Sequence, residues 1–468
     1  MYRTSRISLS SAANHFALRC DAKYRMFWGI NGAMLFPRAK VECHTFKYAL
    51  LPFNRRVAKK GELDTELELI ELDDVEKATG QILSSSRVTE LQSAKLLFGT
   101  ADVLTTRLRP NLGKTILNDQ SRVLGGTTEW IPLKLNYERL HPLVAKWYLL
   151  SSRYVNNAGR LLSGKEHPRV DESDIFALRI PFPSKAVQQS LVKKISAIET
   201  EISKARIGLR DQQSVIDEVI CSEFRYPLRE HLEREREKEF IAPFHAMTAA
   251  FTLRSSAKFH HPSFDLITQF FAHTPYERVK RFLSVPIRLG ATAKKGDFVE
   301  DGAAYYVHPG ATKRQAVIAI EDCYQVPEEF YAATQRRFGL RREDVIINRS
   351  GEALGKVAFW DSDEPAVASD FTMRVRFDKA RMNPRFSWYF FRSVIFQAQI
   401  QRELRGSSVP NIFPPEVEQM IVVSCEKARQ DEIADSISAE LQRRDGTLQS
   451  IVSGQAKIAA LIDEAIQA

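Results

Sequence analysis

The chain repeats itself, and the repeat limits what it can fold into more than any other feature. Residues 102–119 read DVLTTRLRPNLGKTILND and residues 344–361 read DVIINRSGEALGKVAFWD, an ungapped offset of 242 (344 − 102). Asp102, Val103, Arg107, Leu112, Gly113, Lys114 and Asp119 recur as Asp344, Val345, Arg349, Leu354, Gly355, Lys356 and Asp361. The register persists. Pro142 recurs as Pro384, Gly164 as Gly406, Pro168 as Pro410, Gln188 as Gln430 and Ile195 as Ile437. A second echo, FALRCDAKY from Phe16 and FTLRSSAKF from Phe251, has an offset of 235 (251 − 16), so an insertion or deletion of seven separates the two registers. Chance similarity does not hold one frame across such a span, and an internal duplication does. Between the echoes the halves diverge. Two scaffolds reading different targets would diverge in this way, and so would drifting surface loops.

Within each half, short apolar runs alternate with turns. ELELIEL, DVLTTRL and WIPLKL read as strands in the first half, and AVIAIED, DVIIN and FTMRVRF in the second. HPLVAKWYLLSSRYVNNAGRLL and its repeat NPRFSWYFFRSVIFQAQIQREL read as helices. Mixed α/β domains follow. Each half then runs into a long heptad-patterned helix. Leu191, Ile195, Ile198, Ile202, Ala205, Leu209, Ile216 and Val219 form the first seam, interrupted at Gln212. Ile437, Ile451, Ile458 and Ala465, with Leu441, Leu448 and Ile462, form the second, interrupted at Arg444 and Gln455. Each helix either folds back on its own domain or pairs with the other, and the heptad length favours an antiparallel pair. A continuous helix over 185–220 would span roughly 50 Å. The charged run HLEREREKEF at 231–240 reads as a solvated linker or helix end.

Composition narrows the function classes. A net charge of +9 suits a polyanionic partner but does not require one. Cys20, Cys43, Cys221, Cys323 and Cys425 form no CxxC pair, which argues against a zinc site or disulfide framework and fits a reducing cytoplasm. No run is apolar and long enough to cross a bilayer, so no membrane partner is expected. The Ser- and Arg-rich start admits a transit peptide, a reading set aside because the FALRCDAKY echo follows at once. There is no GxGxxG, Walker A run or HExxH. NPRF at 383–386 resembles an amino-methyltransferase NPPF motif, but Arg385 replaces a proline. It reads better as a helix start, with Asn383 as N-cap and Pro384 in the first turn.

The order of these parts resembles the specificity (S) subunit of type I restriction-modification systems over nearly the whole chain. DVLTTRLRPNLGK resembles the family's strand–turn–strand, RIPFP with QQSLVKKI its approach to the first long helix, and GSSVPNI its second-domain loop. The pattern departs where the second half has NRSGEALGK and the first has SGKEHPRV. The resemblance implies two pseudo-symmetric target-recognition domains separated by long antiparallel coiled-coil helices. The divisions are 1–184 (recognition domain 1), 185–225 (spacer helix 1), 226–250 (linker), 251–424 (recognition domain 2) and 425–468 (spacer helix 2). It implies a non-catalytic cytoplasmic chain that reads a bipartite double-stranded DNA target and carries no cofactor. Two modification subunits would dock on it and methylate adenine with S-adenosylmethionine. Restriction subunits, where present, would cleave DNA using ATP with Mg2+. Two other readings stay open: a coiled-coil scaffold for protein partners, and a specificity subunit serving methylation-only phage defence.

Candidate DNA-contacting residues follow from side-chain chemistry. Arg109 and Asn111 occupy a Pro–Asn–x–Gly turn. Arg can pair with guanine, Asn with adenine, and Lys114 can hold a phosphate. Gly113 either supplies a positive φ or lets the backbone approach DNA. Arg107 and Arg349 persist in both halves, which points to scaffold or phosphate roles, with Asp102 or Asp344 as a candidate carboxylate partner. The second copy adds Asn348, Ser350 and Lys356. Lys165, His167 and Arg169 correspond in place to Ser407, Ser408 and Asn411, where phosphate or base contact and a plain proline turn are equal alternatives. Trp147, Tyr148, Trp388 and Tyr389 read as core residues.

Overall fold

The computed structural model describes residues 39–63, 65–164, 166–241, 257–314, 316–404 and 410–467. The FALRCDAKY segment lies outside these residues, as does all but the end of FTLRSSAKF. The chain forms two compact units, Met1–Gly208 with Thr447–Ala468 and Leu209–Gly446.

In unit 1 the described elements run β1 (Cys43–Thr45), β2 (Arg56–Ala58), β3 (Leu67–Leu69), β4 (Ser86–Val88), β5 (Lys95–Leu97), β6 (Val103–Thr106), β7 (Ile116–Leu117), β8 (Leu124–Gly126) and β9 (Trp130–Leu133). Helices α1 (Pro142–Leu150), α2 (Ser152–Leu161) and α3 (Glu172–Ala177) follow, then β10 (Arg179–Pro181) and α4 (Lys185–Ile207). The sheets are ordered β2-β5-β8-β3-β4 and β7-β6-β9, and β1 pairs with β10. Strand β6 is buried at every position, as its β-branched sequence VLTT allows. One core packs Phe98 and Trp130 with Leu104, Ile116 and Leu124.

Unit 2 runs α5 (Gln212–Glu223), α6 (Leu228–Arg234), α7 (Ser263–His273), β11 (Tyr276–Arg278), β12 (Arg288–Leu289), β13 (Ala304–Val307), α8 (Pro309–Thr312), β14 (Tyr324–Val326), α9 (Glu328–Phe338), β15 (Asp344–Asn348), β16 (Val357–Trp360), β17 (Ala366–Ala368) and β18 (Thr372–Val375). It continues through α10 (Pro384–Arg392), α11 (Val394–Glu403), α12 (Pro414–Gln419) and β19 (Ile421–Val423) into α13 (Lys427–Gln467), whose residues from Thr447 on group with unit 1. Its sheets are β12-β18-β15-β16, β14-β13-β17 and the pair β11-β19. Both units are mixed α/β.

The duplication is structural. Elements β9, α1, α2, α3 and β10 recur residue for residue, 242 positions on, as β18, α10, α11, α12 and β19. The hydrogen bonds recur with them. Buried Gln188 accepts from His141 N and donates to the carbonyls of Arg139 and Pro183. Gln430 does the same with Asn383 N and the carbonyls of Arg381 and Cys425. Buried Asp102 pairs with Lys134 at 2.9 Å, and Asp344 pairs with Arg376 at the matching place. The aspartates therefore serve Lys134 and Arg376, and neither is the partner of Arg107 or Arg349. Asp102 also accepts from Leu135 N and Tyr137 Oη, and that phenol hydrogen bond pushes the Tyr137 pKa up to about 12.

Four local readings change. The helix expected over 141–162 is two helices, because Ser151 is extended (ψ 144) and its hydroxyl caps Tyr154 N. Ser393 interrupts the repeat helix with the same extended backbone (ψ 154), though its hydroxyl donates back to Phe390 O and caps no amide of the next helix. AVIAIED forms no strand. Val317 makes one bridge to Phe359, and 320–322 curl into a 3-10 turn. Ile318 is buried there and its N–H bonds Phe359 O of β16 at 2.9 Å, but Val317 is 48% exposed and the turn at 320–322 ends the pairing after that single bridge. The run at 231–240 begins as the end of α6, and His231 is fully buried against Tyr226.

The fourth change concerns the first long helix, which breaks between α4 and α5. The Asp211 side chain caps Gln213 N and Ser214 N at 2.8 and 3.0 Å, starting a new helix. Helix α13 is unbroken, and Gly446 is the last of its residues that group with unit 2. In unit 2, Arg210 bonds Glu440 and Glu223 bonds Arg429, so α5 runs antiparallel to the start of α13. In unit 1, α4 packs against the rest of α13. A Cβ added at Gly454 would meet Ile202 Cδ1 at 3.0 Å, so glycine sets that close approach. The C-terminal turn of α13 is tied by Lys40 N to Ile466 O, near where α4 begins, so this pair is also antiparallel. The buried seam is Leu191, Ile195 and Ile202 on α4, and Ile451, Ile458, Ile462 and Ile466 on α13. Ile466 replaces the expected Ala465 because a straight helix drifts from a strict heptad.

Removing one partner of a buried ion pair strands the other. Asp102→Ala is expected to cost about 3–5 kcal/mol. Hydrogen exchange should accelerate at the amides of β6 and β9, while β15 and β18 keep their protection.

Candidate nucleic-acid interface

In unit 1 the chain leaves β6 through Arg107 and turns at Pro110–Leu112 before β7. Left-handed residues flank the turn, Arg109 at φ 48 and Gly113 at φ 60. For Gly113 this settles the reason for glycine: its φ is positive, and a Cβ would meet Ala78 Cα at 3.0 Å. Ala78 N lies 3.0 and 3.1 Å from the carbonyls of Leu112 and Gly113, so a second tight turn supports the first. Arg109 N bonds Pro168 O at 3.0 Å, and Ser163 and Arg169 exchange backbone bonds at 2.8 Å. The two loops singled out in the first half are thus one assembly. The corresponding loops of unit 2 meet likewise, through a Ser350–Asn411 bridge at the place of Leu108–Arg169.

The side chains on this frame divide sharply. Arg109 and Asn111 are exposed. Arg107 pairs with Glu172, which also takes Arg55. Burial pushes the Glu172 carboxyl up, but the two guanidiniums outweigh it and hold the pKa below the ordinary carboxylate range. Arg169 forks onto Glu129, with Nη2 to Oε1 at 2.7 Å and Nε to Oε2 at 3.1 Å. Lys114 is 7% exposed and its ammonium donates to the Leu72 carbonyl, so it points into the unit. Lys165 lies outside the described residues. His167 is exposed.

In unit 2, Asn348 is fully buried and accepts from Thr312 Oγ1 at 2.6 Å, and Ser350 is buried at the bridge. Arg349 is half-buried, with its guanidinium 5.6 Å from the centre of the Phe413 ring. Lys356 is half-buried. Beside Glu352, it adds to the Lys313 hydrogen bond that holds that carboxyl low. Asn411 is half-buried in the bridge, and Ser407 and Ser408 lie outside the described residues. Trp147, Tyr148, Trp388 and Tyr389 are all buried, and Asn383 caps Arg385 N and Phe386 N.

Sequence reading missed Glu129 and Glu172, which neutralise two candidate arginines from distant segments. It also missed exposed Lys77, placed beside the RPNLG turn by Ala78. The glycine of KATG was the available signal for that second turn. Among the described residues, no group of three or more His, Cys, Asp or Glu side chains is placed to hold a metal. No helix among them is long and apolar enough to cross a membrane.

No family model matches the chain, and no curated protein matches it. Solved structures do. The chain is similar to the S subunit of a type I restriction-modification system from M. genitalium, with 13% identity, 91% of this chain and 96% of that one covered, and a TM-score of 0.46. It is similar to a chain from a type I R-M system solved for its complex assembly and conformational transition (13%, 91% and 97%, TM-score 0.48). It is also similar to the HsdS subunit from Thermoanaerobacter tengcongensis (13%, 91% and 96%, TM-score 0.36). The chain thus resembles type I specificity subunits over most of its length.

A left-handed arginine is strained, whereas glycine is not. Arg109→Gly is expected to raise stability by about 1 kcal/mol. Arg107→Ala should lower it by about 2 kcal/mol through loss of a charge-assisted bond. Urea unfolding of both variants separates an exposed reading position from a structural one.

Proposed function

We propose that this chain is a non-catalytic DNA-specificity subunit of a type I restriction-modification complex, with each unit reading one half of a split duplex target. The observation that carries the reading is the exposed pair Arg109 and Asn111, held on a strained turn that backbone bonds fix from two sides. Strain maintained at an exposed polar position, where glycine would relieve it, fits a side chain retained for contact. Arginine and asparagine are the residues that pair bidentately with guanine and adenine. The duplicated frame supplies a second tip built on the same backbone, and the net charge of +9 suits the duplex.

In this reading the paired long helices set the gap between half-sites and dock two modification subunits, which carry S-adenosylmethionine. Restriction subunits with ATP and Mg2+ complete the complex where they exist, and a methylation-only system uses the same chain without them. The buried α4–α13 seam also supports a second reading, a helical scaffold that binds protein partners alone.

Binding of the full chain, alone and with candidate modification subunits, to a pool of randomised duplexes separates the two. A DNA reader enriches a split motif and loses affinity steeply as salt rises. Affinity indifferent to salt, with no enriched motif, rejects it. Arg109→Ala or Asn111→Ala should relax recognition by about 1–3 kcal/mol at one position of one half-site and leave the other half intact. Equal loss at both halves contradicts the assignment. Inserting four residues, about one turn, into α4 should change the spacing between half-sites, and an unchanged spacing removes the ruler role.

A further inference from the structure

The two tips share a backbone and differ in electrostatics. In unit 1, Arg107 N bonds Glu129 O at 3.0 Å and Val170 N bonds Arg107 O at 2.9 Å. In unit 2, Arg349 N bonds Phe371 O at 3.1 Å and Ile412 N bonds Arg349 O at 3.0 Å, the same bonds 242 residues on. Three chain segments therefore lie side by side at each tip, and positions can be compared one for one. Glu129, which takes Arg169, is replaced by Phe371. Glu172, which takes Arg107, is replaced by Pro414, and Asp171 by Phe413. Every carboxylate that closes the first tip is missing from the second.

Arg349 has no carboxylate within ion-pair reach among the described residues, and its buried Nε makes no hydrogen bond. Beside it, Phe371 is 50% exposed and Phe413 is 38% exposed. A lone exposed phenylalanine is ordinary surface. Two of them around an uncompensated guanidinium, where the sister unit carries satisfied ion pairs, are not needed for folding. The positive charge favours a polyanion over a protein face of mixed charge.

We infer that Phe371 and Phe413, with Arg349 between them, are the duplex-contacting residues of unit 2, taking an apolar base surface and a phosphate together. This rests on the DNA-reading function proposed above. Arg349 neutralises one phosphate, while the phenylalanines meet either thymine methyl groups in a groove or the faces of a partly unstacked base step. Unit 1 reads through polar side chains and unit 2 through apolar ones, so the two half-sites are recognised by different chemistry on one frame.

The test uses the full chain and the same randomised duplex pool. The Phe371→Ala/Phe413→Ala double variant should lose information at one or two adjacent positions of a single half-site. Affinity for the wild-type motif should fall on the order of tenfold. Urea unfolding of Phe371→Ala alone should stay near wild type, since that ring is half exposed. Arg349→Gln should lower the slope of log affinity against log salt by about 0.9, the value of one phosphate contact. Replacing thymine by uracil in the motif reproduces the loss if methyl groups are the target. A 2-aminopurine placed at the affected step brightens on binding if unstacking is.

A double variant that selects the same motif with the same affinity overturns the inference. So does one that keeps its DNA motif but no longer co-purifies with modification subunits, because the patch then docks protein. A wild-type chain that enriches no motif overturns the underlying DNA reading instead, and that outcome is seen before any variant is made.

Discussion

Main-chain hydrogen bonding is the constraint on which the rest of each unit depends. At both tips the bonds that join residues 107, 129 and 170, or 349, 371 and 412, run through backbone atoms, so they survive any change of side chain except to proline. At the long helices the frame is held instead by one side chain that recurs in both halves. Gln188 and Gln430 each hold three main-chain groups that would otherwise be buried unpaired. A frame fixed this way tolerates divergence where side chains face outward, and the halves diverge there.

Charge is then distributed differently on equal frames. Unit 1 places Glu129 and Glu172 so that Arg169 and Arg107 are satisfied within the chain, while Arg109 and Asn111 stay open on the turn. Unit 2 drops both glutamates and sets phenylalanines around Arg349. An arginine already forked onto a carboxylate must break that bond to reach a phosphate, whereas an unpaired one need not. Recurrence of Arg107 as Arg349 therefore preserves a residue type and changes its availability.

Much of the fold was legible in the sequence because the duplication supplied two readings of each element. The ungapped register from Asp102 to Ala197 fixed which elements correspond, and the strands β6, β9, β15 and β18 stood out as short apolar runs between turns. Periodicity alone did not show the helix breaks. Ser151 and Asp211 start new helices by capping, a local hydrogen bond that leaves the apolar pattern intact on both sides. AVIAIED had a strand's composition but meets β16 at one bridge before its chain curls away, and the extent of pairing is a property of the whole sheet. Among the candidate contacts, the sequence located the turns, but it did not separate Arg109 from Lys114. One faces solvent and the other donates to the Leu72 carbonyl, a partner 42 residues away.

By itself, then, the amino-acid order determined that there are two copies of one α/β frame, that a heptad helix follows each, and where the tight turns fall. These depend on local pattern and on self-similarity, both of which are carried along the chain. Tertiary structure alone decided which charges are spent and which remain open. Ion pairing depends on residues such as Glu172 and Arg107, 65 positions apart, arriving at one place. A single sequence records no such meeting, because Coulomb energy depends on distance in space and is indifferent to distance along the chain.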